Sequence, residues 1–551
     1  MKQDAYPTAL WLDESGVVEE KSQRAGLTGG ALDGNTLRNV TITSTEPCYG
    51  GIRIVGGEYT IDNLTTMLDG SGGDDFGGKG TGLVCAGTAK VTVNNYTANH
   101  RGVIRNAVVV TDQAEAVFHN ANITCCGGTP EELEQANREV RGLPHVPWVL
   151  GLTGNNRATN LLSQGKVQYI DSTIRAEGWG ALSTDGPSAP ERYGEYSITL
   201  QTENCDVEVF GPSGYGSYAI GAGHNVFRST RFRVPDYALI VANEFASAEF
   251  LNKSQVESRR FGVMWHQNQG GVLKIEDSAF HTGMATFLAK ACYPRIEVTR
   301  SRLISDNGII LQLMDMDDPG IGKDSVDVDT GIAEKVPGHC VSAPNYHDVV
   351  MFNKIEMKDY CTDLQASFSH MELNGDFYNG ITGPASVGTV FEGDAPDMSA
   401  PPPEDAAIPQ DGSDFVPPMP EMKPSSLYPI NLVLHFADTR YTGALSATST
   451  HHRIRHITPD NNYELGMVEN TLCPAVNNGV LASFDENSSW TVTKTCYLTA
   501  LTLAPGAVVQ PVSGKSLIML VDGTETEIQP GHYQGNIEMK LIERKAEIKW
   551  H

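Results

Sequence analysis

Through the middle of the chain, alternating apolar and polar positions recur with a period of about 23–25 residues. The segments FRSTRF, LNKSQV, IEDSAF and VTRSRL place Ser229, Ser254, Ser278 and Ser301 at one phase, with Phe232, Val256, Phe280 and Leu303 at another. Each segment then leads through a short loop into a second apolar stretch: YALIVANE, FGVMWHQN, MATFLAKA and GIILQLMD. A two-residue alternation is the signature of strands with one buried face, whereas a helix would space its apolar positions by three and four. One repeat is too short to bury its own apolar side, so successive repeats must stack on one another. The pattern predicts an all-β chain folded as a parallel β-solenoid.

The same pattern predicts the layout of the rest. Residues 1–30 read as an irregular lead-in, and coils begin near LRNVTITS and GIRIVGGEYTIDNLTTML. One short helix is expected near 130–141: Thr129 is an N-cap, Pro130 takes the first helical position, Glu132 completes a capping box, and Gly142 and Pro144 end it. Other loops leave the coil after Asp185 and after Met314. They gather with the helix near one edge, the arrangement by which a solenoid walls a cleft. Residues 395–426 are acidic and Pro-rich, the composition of a loop or linker, so the chain divides into 1–394, that segment, and further coils with a cap in 427–551.

Counting from the residue that opens each second strand aligns Trp148, Trp179, Tyr218, Tyr237, Phe261 and Met284 as an aromatic-rich column. Six positions on, a polar column reads Asp185, His224, Asn243, Gln267 and Lys290, flanked by Thr184 and His266 on one side and by Asn225, Glu244 and Asn268 on the other. Successive turns of a parallel coil are one strand spacing apart, so this column makes a strip about 20 Å long, room for several sugar units. A strip mixing Asp, His and Lys is costly to bury unpaired, which favours a solvent-facing groove over an internal ladder. The candidate catalytic residues are Asp185, His224, Glu244, His266 and Lys290. The candidate substrate-binding residues are Trp179, Tyr218, Asn225, Asn243, Gln267 and Asn268.

Two chemistries stay open on that column. Hydrolysis of a glycosidic bond needs two flanking carboxyl groups, and Asp185 and Glu244 lie two coils apart, roughly 9.6 Å by strand spacing. Elimination or epimerisation instead removes a proton beside a carboxylate, and Lys290, His266 and Tyr218 offer a base and a stabilising cation. The run MDMDDPG carries Asp315, Asp317 and Asp318, oxygen ligands suited to Ca²⁺ but without EF-hand spacing. No metal site is assigned, and Ca²⁺ is the one cofactor left open. The Gly-rich stretch 69–82 lacks the spacing of a phosphate-binding loop and reads as a surface loop.

The formal net charge of −27 argues against nucleic acid and anionic membranes as partners, since phosphate binding draws on excess Lys and Arg. It also sits poorly with a polyuronate substrate unless a local basic patch or Ca²⁺ screens it. No apolar run is long enough for membrane insertion. The opening MKQDAYPTALWLDESG has no signal-peptide core, which reads as cytoplasmic, or as secreted or surface-exposed if a leader has been removed. The cysteines lack metal-like spacing and read as small buried residues. A homo-oligomer is open.

The coil length, the φxφxxSxφ strands and the Asn- and Gly-bearing turns resemble the right-handed parallel β-helix of the pectate-lyase-like superfamily, over most of 35–390 and more loosely 427–535. That resemblance implies a fold shared by polysaccharide lyases, polygalacturonase-type hydrolases, uronan epimerases and surface proteins, so it implies fold more strongly than function. The polygalacturonase pattern is missing here: Ser183-Thr184-Asp185 is the nearest match to its NTD, and Ala222-Gly223-His224-Asn225 only partly matches its GHG. The expectation is a carbohydrate-active enzyme, hydrolase or lyase/epimerase, working in a groove on one face. The alternatives are a non-catalytic adhesin or spike-like protein that binds a glycan or protein, and an intracellular isomerase or lyase for a small molecule.

Overall fold

The computed structural model describes residues 7–139, 143–186, 198–242, 245–266, 270–318, 363–381, 430–475 and 479–543, with the short strands 325–327, 332–334, 389–391 and 422–424. The Pro-rich 395–426 falls outside the described residues, except for 422–424. The chain is all-β, built on long, mostly parallel sheets, an architecture compatible with a β-helix or solenoid-like fold.

Each repeat supplies three strands. One joins a 15-stranded first sheet, in which Gly180–Asp185, Tyr215–Ile220, Tyr237–Ala242, Phe261–His266, Phe287–Lys290 and Ile309–Met314 are successive neighbours. The other two join a second sheet and are separated by a sharp corner. Phe232, Val256, Phe280 and Leu303 pair in line there, and all four are buried, as the alternation predicts. Residues 7–30 are less irregular than their pattern: Thr8–Asp13 pairs in parallel with Gly50–Ile54 in the first sheet, and Gly16–Val17 folds back antiparallel on it at the sheet's edge.

The corners explain two sequence signals. Asn120, Asp171, Asn204, Ser229 and Asp277 all have φ near +50°, the left-handed region that short polar side chains tolerate best. The residue after the corner points inward, and its hydroxyl satisfies backbone groups that the turn leaves unpaired. Ser254 Oγ lies 2.8 Å from the Leu251 carbonyl and 3.0 Å from that of Phe227, and it accepts the Thr230 amide at 3.2 Å. The buried column is therefore Thr230, Ser254, Ser278 and Ser301. Ser229 stands one place earlier, at the corner itself. Near the N-terminal end, Asn39, Asn63, Asn95 and Asn120 form a side-chain amide ladder at 2.8–3.0 Å.

The ladder continues across the sequence between Leu364–Asn374 and Leu432–Gly443, which pair in unbroken parallel register through Ser369↔Ala437 and again from Met371↔Thr439. At the far end the direction reverses, and Gly531–Glu543 runs antiparallel over Cys496–Leu503. That strand covers an edge that would otherwise template another chain. The helix α1 spans Pro130–Glu139, and its capping box is present: Glu132 accepts the Thr129 amide at 2.7 Å, and Thr129 Oγ1 accepts the Glu132 amide at 3.2 Å. Among the described residues, no helix is long and apolar enough to cross a membrane. The described cysteines are free thiols, most of them buried.

Candidate functional site

Strand Tyr237–Ala242 is buried at every position. Alternate residues of the first sheet face the interior, so something must cover its outer face as well. That cover comes from two insertions distant in sequence. Helix α1 and the turn Trp148–Leu150 form one, and the turn Pro459–Glu464 with Leu465–Met467 forms the other. A second apolar core lies beneath them, with Val149, Leu150 and Leu152 against Tyr237, Ile240, Phe261, Met264 and Leu288. Arg260 pins both insertions. Its guanidinium donates to the carbonyls of Gly151 (3.2 Å), Tyr463 (2.6 Å) and Leu465 (3.1 Å), and it pairs with Asp236 at 2.9 Å.

Beside this core, the outward row at the C-terminal end of the strands runs Asp185, Ile220, Ala242, His266 and Lys290. Lys290 is fully buried, with Nζ 2.8 Å from Asp317 and 2.9 Å from Asp318. Burial works against its charge, but the two carboxylates outweigh that and hold its ammonium above the usual lysine range. Burial likewise opposes ionisation of Asp317, and Lys290 and His452 overcome it, keeping that carboxyl below the usual range. His452 Nε2 donates to Asp317 at 2.9 Å, and the Gly466 amide donates to the same oxygen at 2.6 Å. His266 donates from Nδ1 to Asp318 at 3.0 Å. Its Nε2 is enclosed and has no hydrogen-bond partner among the described residues.

A second charged group lies at the other end of the row. Arg157, almost fully buried, is held between Asp75 and Asp185, the latter at 2.7 Å. Burial opposes its charge too, and the two carboxylates more than restore it. The Gly-rich loop is what delivers Asp75: it folds over the sheet, so that Asp75 also accepts from Asn106 at 3.0 Å and its carbonyl accepts from Asn160 at 3.3 Å. Trp179 lies 4.7 Å from the Arg157 guanidinium, ring to cation. Tyr218 stands between the two charged groups, its ring 5.5 Å from Tyr215 and 6.4 Å from His266. Burial, with Asp185 and Tyr215 nearby, holds its phenol well above the usual range, so it is a proton donor and not a phenolate.

The sequence-predicted residues are therefore divided. Asp185, Tyr218, His266 and Lys290 share the outer face of the first sheet. Trp179 is there too, but buried under Arg157 contact, so it presents no open platform for a sugar. His224 is elsewhere: Tyr215, not Tyr218, opens its strand, which ends at Ile220, and His224 falls in the next strand, on the second sheet. There it lies 2.7 Å from Ser247 and 3.4 Å from Glu249, and burial lowers its pKa despite Glu249. His435 and Ser483 make the same cross-strand pair at 2.7 Å, which marks it as a recurrent sheet contact. Asn225 points inward, accepting from Thr184 (3.0 Å) and donating to Ser217 (3.1 Å), and so braces the strand of Tyr218 against that of Asp185.

The row lies five positions, not six, after the openers of Gly180–Asp185, Tyr215–Ile220, Tyr237–Ala242 and Phe261–His266, and it ends the shorter strand Phe287–Lys290. A count of six reaches Asp185 and Lys290 because Trp179 and Met284 precede their strands, by one residue and by three, and it overshoots to Asn243 and Gln267 from Tyr237 and Phe261. One residue of slip turns a side chain to the opposite face. Asn243, Glu244, Gln267 and Asn268 lie outside the described residues, so the Asp185–Glu244 carboxyl pair has no described geometry. Nothing in the sequence marks Asp75, Arg157, or Asp318 as partner of His266, and the stretch of His451, His452 and His456, which reads as a solvated turn, instead brings His452 against Asp317 with little exposure. The MDMDDPG run offers oxygen ligands suited to Ca²⁺, but Asp317 and Asp318 enclose the Lys290 ammonium, so a lysine occupies the place a cation would take. No protein-family model matches the sequence, and no curated protein matches it.

Proposed function

We propose that the two sheets are faces of a right-handed parallel β-helix, and that the chain is a carbohydrate-active enzyme working on the outer face of the first sheet. The observation that carries this is the His266–Asp318 pair. Asp318 fixes the proton on Nδ1, which leaves the Nε2 lone pair as a base, the orienting relationship that catalytic histidines require. A buried ring nitrogen without a partner costs about 1–3 kcal/mol. Such a group calls for an explanation, and a substrate hydroxyl or water supplies one.

The clamped state of Lys290 favours His266 as the base. An ammonium shared by two carboxylates does not give up its proton near neutral pH, so Lys290 orients Asp318 and His266 takes the proton. Tyr218, a protonated phenol beside that imidazole, would supply the proton for the departing oxygen while His266 takes one up.

The test is turnover on a panel of oligosaccharides, read as new reducing ends or new unsaturated ends, for the parent chain, His266→Gln and Asp318→Asn. Both variants should lose a hundredfold or more, the scale of a lost general base, with an unchanged circular-dichroism spectrum. A folded His266→Gln protein with full turnover would remove the reading.

A further inference from the structure

Resting on that reading, we propose that the sugar this face receives is uncharged, a hydroxyl-rich chain and not a polyuronate. Arg157, Arg260 and Lys290 are the cationic side chains described on the outer face beside the row, and each is already within 3.0 Å of a carboxylate. Five carboxylates answer those three cations: Asp75 and Asp185 for Arg157, Asp236 for Arg260, and Asp317 and Asp318 for Lys290. Among the described residues, the part of the face beside the row therefore carries surplus negative charge, and each Arg and Lys there is already engaged by a carboxylate. A uronate there would meet repulsion that the low-dielectric surroundings strengthen.

An independent observation says what the face does accept. His266 Nε2, on a ring almost wholly buried, has no donor among the described residues, which leaves it able to accept one that a ligand brings. The edges of Asp185 and Asp318 that remain exposed are acceptors as well. A carboxylate brings only acceptors, whereas each sugar hydroxyl brings an O–H. Tyr218, the partly exposed aromatic between the two charged groups, gives a sugar ring an apolar surface to lie on. Excess acceptors, one aromatic face and no spare cation together describe a site for neutral hexose units.

The experiment is isothermal titration of the full chain with two oligosaccharides matched in length and linkage, one of neutral hexoses and one of the corresponding uronic acids, at low and high salt. The expected result is neutral binding at least tenfold tighter, nearly independent of salt because screening acts only between charges, and weakened at least tenfold in His266→Gln and in Tyr218→Ala. Uronate binding equal to or tighter than neutral, and still lost in His266→Gln, would overturn the charge assignment while leaving the enzyme reading in place. Binding of neither class by a folded chain would overturn both.

Discussion

Asp317 accepts a hydrogen bond from His452 at 2.9 Å although 135 residues separate them in the chain. Asp317 follows the strand that ends at Met314, and His452 ends a strand two neighbours further along the first sheet. The contact therefore ties a late insertion to the polar row, through the carboxylate that also holds Lys290.

The first prediction concerns that carboxylate. Asp317→Ala leaves a buried ammonium with one partner fewer and frees the Gly466 amide. The expected loss is about 3–5 kcal/mol, the range for breaking a buried ion pair from one side. Urea unfolding measures it. A loss under ~1 kcal/mol would mean that Asp318 alone satisfies Lys290.

Arg260→Ala should act on the cover more than on the coil. It removes the donor shared by Gly151, Tyr463 and Leu465 and leaves Asp236 with its Ser213 and Gly214 contacts, at 2.7 and 2.8 Å. Hydrogen exchange should speed up in 148–152 and 459–467, with the second sheet unchanged. Uniform acceleration across both sheets would contradict a clamp confined to the insertions.

Acid should destabilise the chain partly through His100. Its Nδ1 donates to the Asn106 carbonyl, its Nε2 accepts from Thr66, and burial, with Arg105 nearby, lowers its pKa to about 3 from the ordinary 6.5. The folded state binds this proton less readily than the unfolded state. Its contribution is complete above pH 6.5 and falls away as the pH drops towards 3, by up to about 1.4 kcal/mol per pH unit. His100→Gln should be less stable at pH 7 and flatter between pH 6.5 and 3. An equally steep curve would assign the acid sensitivity to other groups.

The corner column yields a contrast between two serines that look equivalent in the sequence. Ser254→Ala strips a buried hydroxyl from two carbonyls and an amide, and should cost about 1–3 kcal/mol. Ser229→Gly sits at φ 48°, where glycine is at ease, and makes one exposed bond to the Asn252 carbonyl. It should leave the melting temperature within a degree or two. Equal losses would put Ser229 back in the buried column.

That contrast also shows what the sequence carries. Strand identity and inward facing were legible because the core row Phe232, Val256, Phe280 and Leu303 keeps one apolar phase through four repeats. The helix was legible because Thr129, Pro130 and Glu132 act on neighbouring atoms. The outward row was only half legible: Ile220 and Ala242 occupy two of its places, so nothing polar marks the register there, and the count drifted to His224, Asn243 and Gln267. Asp75, Arg157 and His452 were invisible for another reason. Their meaning lies in pairings across tens to hundreds of residues, set by where loops land and not by any local period.

The insertion holding His452, Tyr463 and Leu465 has a consequence for the order of synthesis. Strands up to Lys290 can stack as they leave the ribosome, each on the one before, but the outer face has only the first of its two covering insertions until residues 452–467 emerge. At translation rates of about 5–20 residues per second, that interval is on the order of ten to thirty seconds. During it Phe261 and Leu288 lack the cover that Gly466 and its neighbours bring against them, the stretch of the chain's life in which a chaperone has most to hold.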